Sequence, residues 1–184
     1  MLFSLILIGL AVILLIWGVG MYNKLVRKRT QMEEGWSGID VQLKKRYNLI
    51  PNLIETVKGY ATHEKETLDA VVSARNKAIQ ADDVKSQQKA ENQLNSALAN
   101  VFALSEAYPE LKANTNFLEL QKELSAIEND IEKARRYYNA TVRENNIMVE
   151  SFPSNLLAQS FGFEMGPYFE LEDDSQRQNP EVKF

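Results

Sequence analysis
The sequence predicts an all-α protein: an N-terminal transmembrane helix followed by an antiparallel bundle of four helices. Three observations predict it. Leu2 to Tyr22 contains no charged residue, and only Ser4, Gly9, Gly18 and Gly20 there fall outside the apolar set. Beyond Tyr22, apolar residues recur at steps of three and four, the spacing of one buried helical stripe. No stretch of any length alternates apolar and polar residues as a half-buried strand would, and glycine, a helix breaker, numbers only 8 in 184 residues. The expected organisation is an anchor over 1–22, a polar helical bundle over 23–170 closed by an aromatic hook (152–170), and a polar, disordered tail over 171–184.

The anchor comes first. At about 1.5 Å per residue, Leu2 to Tyr22 reaches about 30 Å, the thickness of a bilayer core. A helix satisfies its own backbone hydrogen bonds there, as lipid requires. Trp17 and Tyr22 lie near its C-terminal end, where amphipathic rings favour the membrane interface. A cleaved signal peptide would need a basic start and a small-residue cleavage site. Residues 1–5 carry no Lys or Arg, and Gly18-Val19-Gly20 is a poor cleavage match, so a retained anchor is expected. Lys24, Arg27, Lys28 and Arg29 follow at once. The positive-inside rule then places the bundle in the cytoplasm and the short N-terminus outside, with the basic collar against lipid headgroups. No GxxxG motif marks a dimerisation face within the span.

The first bundle helix carries Trp36, Ile39, Leu43, Tyr47, Ile50, Leu53, Val57 and Tyr60 on its stripe. Pro51 interrupts it and removes one helical hydrogen bond. Gly59 is the expected stop and Thr62 the expected N-cap of the next helix. If Gly59 does not break the chain, one helix runs from the membrane to about residue 81. The second helix would bury Leu68, Val71, Val72, Ala78 and Ile79. Asp82-Asp83 opens the third, with Ala90, Leu94, Ala97, Leu98, Val101, Phe102 and Leu104 inward, and Pro109 ends it. The fourth has the cleanest period: Phe117, Leu120, Leu124, Ile127, Ile131, Ala134, Tyr138 and Thr141, continued by Asn145 and Met148 to Phe152-Pro153.

Several chemistries are excluded by composition. The chain has no cysteine and a single histidine, His63, which removes disulfide scaffolds, thiolate metal sites and multi-histidine sites within one chain. A net charge of −4 is the wrong sign for a nucleic-acid binder. His63-Glu64 begins like the HExxH zinc motif, but Thr67 stands where the second histidine belongs. No phosphate-binding glycine loop, GxSxG elbow or kinase block occurs. No cofactor, metal site or catalytic constellation is therefore expected. Asn139-Ala140-Thr141 matches the glycosylation sequon, which carries no meaning on a cytoplasmic helix.

Two features invite a contact role. Arg75 and Asn139 fall on or beside buried stripes, and Asp40 is a candidate partner for Arg75, giving a candidate buried polar layer that fixes register or lines a groove. The segment from Phe152 to Phe169 concentrates Phe152, Phe161, Phe163, Tyr168 and Phe169 among Leu156, Leu157 and Met165. It is too short to span lipid. It either folds back to cap the bundle or forms a docking face for a second subunit or the membrane interface.

Long blocks of residues then point to a family. Trp36-Ser37-Gly38-Ile39-Asp40-Val41-Gln42-Leu43 leads to Leu49-Ile50-Pro51-Asn52-Leu53 and Thr56-Val57-Lys58-Gly59-Tyr60-Ala61. Ala134-Arg135-Arg136-Tyr137-Tyr138-Asn139, Phe152-Pro153-Ser154-Asn155 and Phe161-Gly162-Phe163 follow. From about Tyr22 to Glu170 the chain closely resembles the LemA family of bacterial membrane-anchored proteins. The resemblance implies one transmembrane helix with a cytoplasmic helical bundle at the bacterial inner membrane, and no catalytic activity. It also implies envelope organisation or quality control: genes of the family often lie near those for a membrane zinc metalloprotease, and one branch is involved in forming magnetosome membranes. The expected function is thus a non-enzymatic scaffold that self-associates, with membrane lipid and a second copy as partners. The rival expectation is an adaptor or regulator of a membrane metalloprotease.

Overall fold
The structure is a computed structural model and describes residues 1–170; the tail expected over 171–184 lies outside them. Among the described residues every regular element is a helix: α1 (Leu2–Lys58), α2 (Lys65–Ile79), α3 (Val84–Ser105), α4 (Pro109–Lys112), α5 (Thr115–Glu150) and α6 (Ser154–Phe161). They fall into two compact units, one of Met1–Ile39 with Lys133–Tyr168, the other of Asp40–Glu132 with Phe169 and Glu170.

In the second unit, α1 from Asp40, α2, α3 and α5 up to Glu132 bury Leu43, Ile50, Leu53, Val57, Leu68, Val71, Leu94, Leu98, Val101, Phe117, Leu124 and Ile131. These are the stripe positions, so the helical period selected the core. Seven positions depart from it, Leu104, Leu120 and Ile127 among them as only half-buried. Tyr60, Val72 and Ile79 are exposed, because each lies at the margin of its stripe or beside a helix end. Phe102 is only half-buried, its ring 6.2 Å from that of Phe117.

Helix α1 does stop before Gly59, at Lys58. The Tyr60 and Ala61 amides both donate to the Val57 carbonyl, at 3.0 and 2.9 Å, and close the last turn. Thr62 is not the cap expected: α2 follows Glu64, whose side chain makes no capping bond and instead accepts from the Tyr108 hydroxyl at 3.1 Å. Asp83 does cap α3, accepting from the Lys85 and Ser86 amides at 2.8 and 3.0 Å while Ser86 Oγ accepts from the Asp83 amide, a reciprocal capping box. Pro109 does not end α3, which stops at Ser105. It opens α4 instead, the position where its missing N–H costs nothing. Asn114 caps α5 by accepting from the Phe117 amide at 3.0 Å.

Pro51 stays inside α1. Lacking an N–H, it leaves the Tyr47 carbonyl, four residues back, without its helical donor. Arg75 Nε on α2 donates to that carbonyl at 2.8 Å. This corrects the pairing expected from the sequence: Asp40 is held by Lys44 one turn along α1, at 2.6 Å, and Arg75 answers a backbone group.

Candidate functional site
The first unit contains the apolar span, the basic collar and most of the aromatic hook. Its helices run antiparallel, since Lys28 meets Glu144 and Trp36 meets Tyr138. From Leu2 to Tyr22, α1 is exposed along nearly its whole length, with a mean hydropathy of 2.8 over its most apolar stretch. That surface is stable only in lipid or against another apolar body.

The collar is where burial begins. Leu25 is fully buried against Ala158 and Phe163, with Val26, Met148, Val149 and Leu157 packed around them. Tyr22 meets Phe161 and Phe163 edge-on, with ring centroids 5.0 and 5.6 Å away, a favoured aromatic geometry. The Arg29 guanidinium lies 5.3 Å from the centre of the Phe163 ring, within range of a cation–π attraction. Lys28 pairs with Glu144 on α5 at 2.5 Å, and this bond holds the Glu144 carboxyl below its usual range. Lys24 and Arg27 are exposed.

The hook is stitched to α5 by side chains. After α6, Gly162 adopts a left-handed conformation (φ 68°), which turns the chain back at no cost to a residue without Cβ. The Asn146 amide then pairs with Gly166 in both directions, donating to its carbonyl at 3.0 Å and accepting from its N–H at 2.8 Å. Asn145 donates to the Glu164 carbonyl at 3.0 Å. The Tyr138 hydroxyl donates to the Pro167 carbonyl at 2.9 Å, and burial raises the pKa of this phenol. Backbone groups of Glu164, Gly166 and Pro167, in a segment with no regular structure, are thus satisfied by three side chains of one helix.

The candidate residues separate on this geometry. Trp17, Tyr22, Lys24, Arg27, Lys28 and Arg29 share α1, and Tyr22 and Arg29 join Phe161 and Phe163 in one cluster. Phe163 is buried there, Phe152, Phe161 and Tyr168 are exposed, and Phe169 is buried in the other unit. Asp40, Arg75 and Asn139 are all only half-buried, so they form no buried polar layer.

A buried polar cluster exists elsewhere, in the second unit. Arg46 is 4% exposed and Glu91 0%. Arg46 Nη1 contacts Glu91 at 3.0 Å and Glu128 at 3.1 Å, and Nη2 donates to Asn95. The Tyr47 hydroxyl donates to Glu91 and accepts from Gln87 at 2.8 Å. Burial, then the Glu91 charge, pushes the Tyr47 phenol far above its usual range. The sequence did carry a signal for it: Gln87, Glu91, Leu94 and Leu98 step by four and three, which places an acid on an apolar stripe. Leu25 and Asn146 were also missed. Leu25 is hidden in a basic run, and Asn146 pairs with a backbone group twenty residues away.

Among the described residues no group of three or more His, Cys, Asp or Glu side chains is placed to hold a metal. His63 is exposed.

A sequence model for the LemA family matches residues 35–184, a range that begins after the apolar span. The chain is similar to a protein named Protein LemA from Metamycoplasma hominis, 29% identical over 142 residues, which cover 77% of this chain and 65% of the relative. It is also similar to two proteins of Paramagnetospirillum magneticum named Magnetosome protein MamQ 1 and MamQ 2, each 23% identical over 175 residues, 81% of this chain and 64% of the relative. The chain thus spans just under two thirds of the length of these relatives.

Proposed function
The chain belongs to the LemA family, and from that premise we propose that it is a non-enzymatic scaffold, anchored in the bacterial inner membrane by α1, that self-associates and organises membrane or partner proteins of the envelope. The observation that carries this reading is the continuity of α1. The apolar span, the basic collar and the segment that packs on α5 in the first unit are one unbroken helix. A helix couples them as a semi-rigid spacer, which suits a fixed placement of the packed segment at the membrane. The collar of Lys24, Arg27, Lys28 and Arg29 supports a cytoplasmic bundle with the N-terminus outside. The magnetosome proteins among its relatives support a role at membranes in the same family.

The mass of the purified full-length protein in a mild detergent tests this reading. A homo-oligomer free of other chains is expected. A monomer or dimer that co-purifies with a membrane metalloprotease would replace the scaffold with an adaptor. Turnover that survives removal of all partners would overturn both.

A further inference from the structure
The hook leaves apolar side chains uncovered beside the end of the span. Phe152 is 80%, Leu156 57% and Phe161 60% exposed, although Leu25, Ala158 and Phe163 beneath them are buried. We propose that α6, with Phe152 at its N-terminal side, is an interfacial helix that inserts Phe152, Leu156 and Phe161 among the headgroups and upper acyl chains of the leaflet in which the transmembrane span ends. The inference rests on the anchored reading of residues 2–22 and assigns this surface to lipid.

Depth is the first argument. Phe161 stacks edge-on against Tyr22, 5.0 Å between centroids, and Tyr22 closes the charge-free run. Whatever depth the span imposes on Tyr22, Phe161 shares it, and an amphipathic ring at the end of a span sits at the interface. The core of Leu25, Ala158 and Phe163 locks α6 to α1 one turn further along.

Chemistry is the second argument. No charged residue lies between Glu150 and Glu164. The polar residues of α6 are Ser154, Asn155, Gln159 and Ser160, which suit a headgroup layer and carry no desolvation penalty for a charge. Lys24 and Arg27 are exposed on the adjoining turn of α1 and complement anionic headgroups. A second copy is the weaker occupant. A two-fold contact through this surface would bring two identical basic collars together.

Single-tryptophan variants of the full chain in vesicles of phosphatidylcholine and phosphatidylglycerol test the proposal. The phosphatidylcholine is brominated either high or low on its acyl chains. Trp36→Phe leaves Trp17 as the reporter of the anchor. Phe161→Trp and, separately, Leu156→Trp, each in a Trp17→Phe and Trp36→Phe background, report on α6. Two positions are used so that a misfolded variant at one does not decide the outcome. The expected result is that high bromines at least halve the emission of both α6 reporters and low bromines quench them less. Emission equal to that in unbrominated vesicles, with Trp17 quenched, overturns the insertion alone. A blue-shifted α6 reporter that bromine does not quench also overturns it and assigns the surface to a second copy or another protein. If Trp17 itself escapes quenching, the anchored reading fails, and the insertion with it.

Discussion

Pro51 and Arg75 show how one residue's defect becomes another's function. A proline inside a helix normally leaves a carbonyl to water. Here the orphan, on Tyr47, faces α2 and receives Arg75 Nε, so the proline ties two helices together. Arg75→Met should destabilise the protein by about 1–3 kcal/mol, the cost of an unsatisfied buried acceptor. The loss should shrink in a Pro51→Ala background, where the alanine N–H restores the helical donor; equal losses in both, measured by thermal unfolding in detergent, would refute the coupling. Arg46 poses a harder electrostatic problem. Removing it leaves Glu91 buried without its cation, so Arg46→Met should cost about 3–5 kcal/mol, with part recovered in Arg46→Met/Glu91→Leu. The Tyr138 phenol has the opposite pH logic to a carboxylate. Burial raises its folded pKa, so its contribution is complete below about pH 10 and is lost as pH climbs from there through the raised folded value. Tyr138→Phe should therefore flatten part of the alkaline fall in melting temperature; Tyr47 and Tyr108, whose phenols are raised too, contribute to what remains.

At the scale of elements, helix pairing depends on where a side chain is absent. A Cβ on Gly35 would lie 3.2 Å from the Tyr138 Cα and 3.1 Å from Thr141 Oγ1, so α1 and α5 approach closely there in the first unit. Gly38, one turn on, has open space around the same position. Alanine gains up to about 1 kcal/mol over glycine in a helix interior, whereas overpacking against backbone costs about 1–3 kcal/mol. Gly35→Ala should lower the melting temperature and Gly38→Ala should raise it. Changes of the same sign at both sites would show that α5 can yield. The hook belongs to this scale too. Beyond α6 it has no regular structure of its own, and the side chains of Asn145, Asn146 and Tyr138 hold its backbone instead.

For the whole molecule the decisive quantity is the sidedness of charge around the span. Four basic residues, Lys24, Arg27, Lys28 and Arg29, follow the span. The absence of cysteine makes the chain directly suited to single-cysteine labelling. In intact cells, a cysteine replacing Met1's neighbour Leu2 should react with an impermeant maleimide, and one replacing exposed Lys65 should react only after lysis. The reverse pattern would invert the proposed topology. The outcome is independent of oligomeric state, so it separates orientation from self-association.

The sequence by itself determined the long helices, their order and most of the core, because each of these follows from a local period; the short α4 and α6 were not legible in it. Charge-free length marks the span, and three-four spacing marks the buried faces. Asp83 and Asn114 cap through groups only two or three residues away, and such short-range bonds are written locally, although only the Asp83 start was read in advance. What tertiary structure decided is every pairing between distant residues. Glu91 stands on an apolar stripe in the sequence, but Arg46 looks like a surface charge until α1 and α3 bring the two together. Asp40 and Arg75, plausible partners by sign, are diverted by a closer lysine and by a carbonyl that Pro51 leaves open. The hook's aromatic content was visible, but its division into buried Phe163 and exposed Phe161 was not. That depends on which ring meets Leu25, and a one-dimensional period does not record where two helices touch.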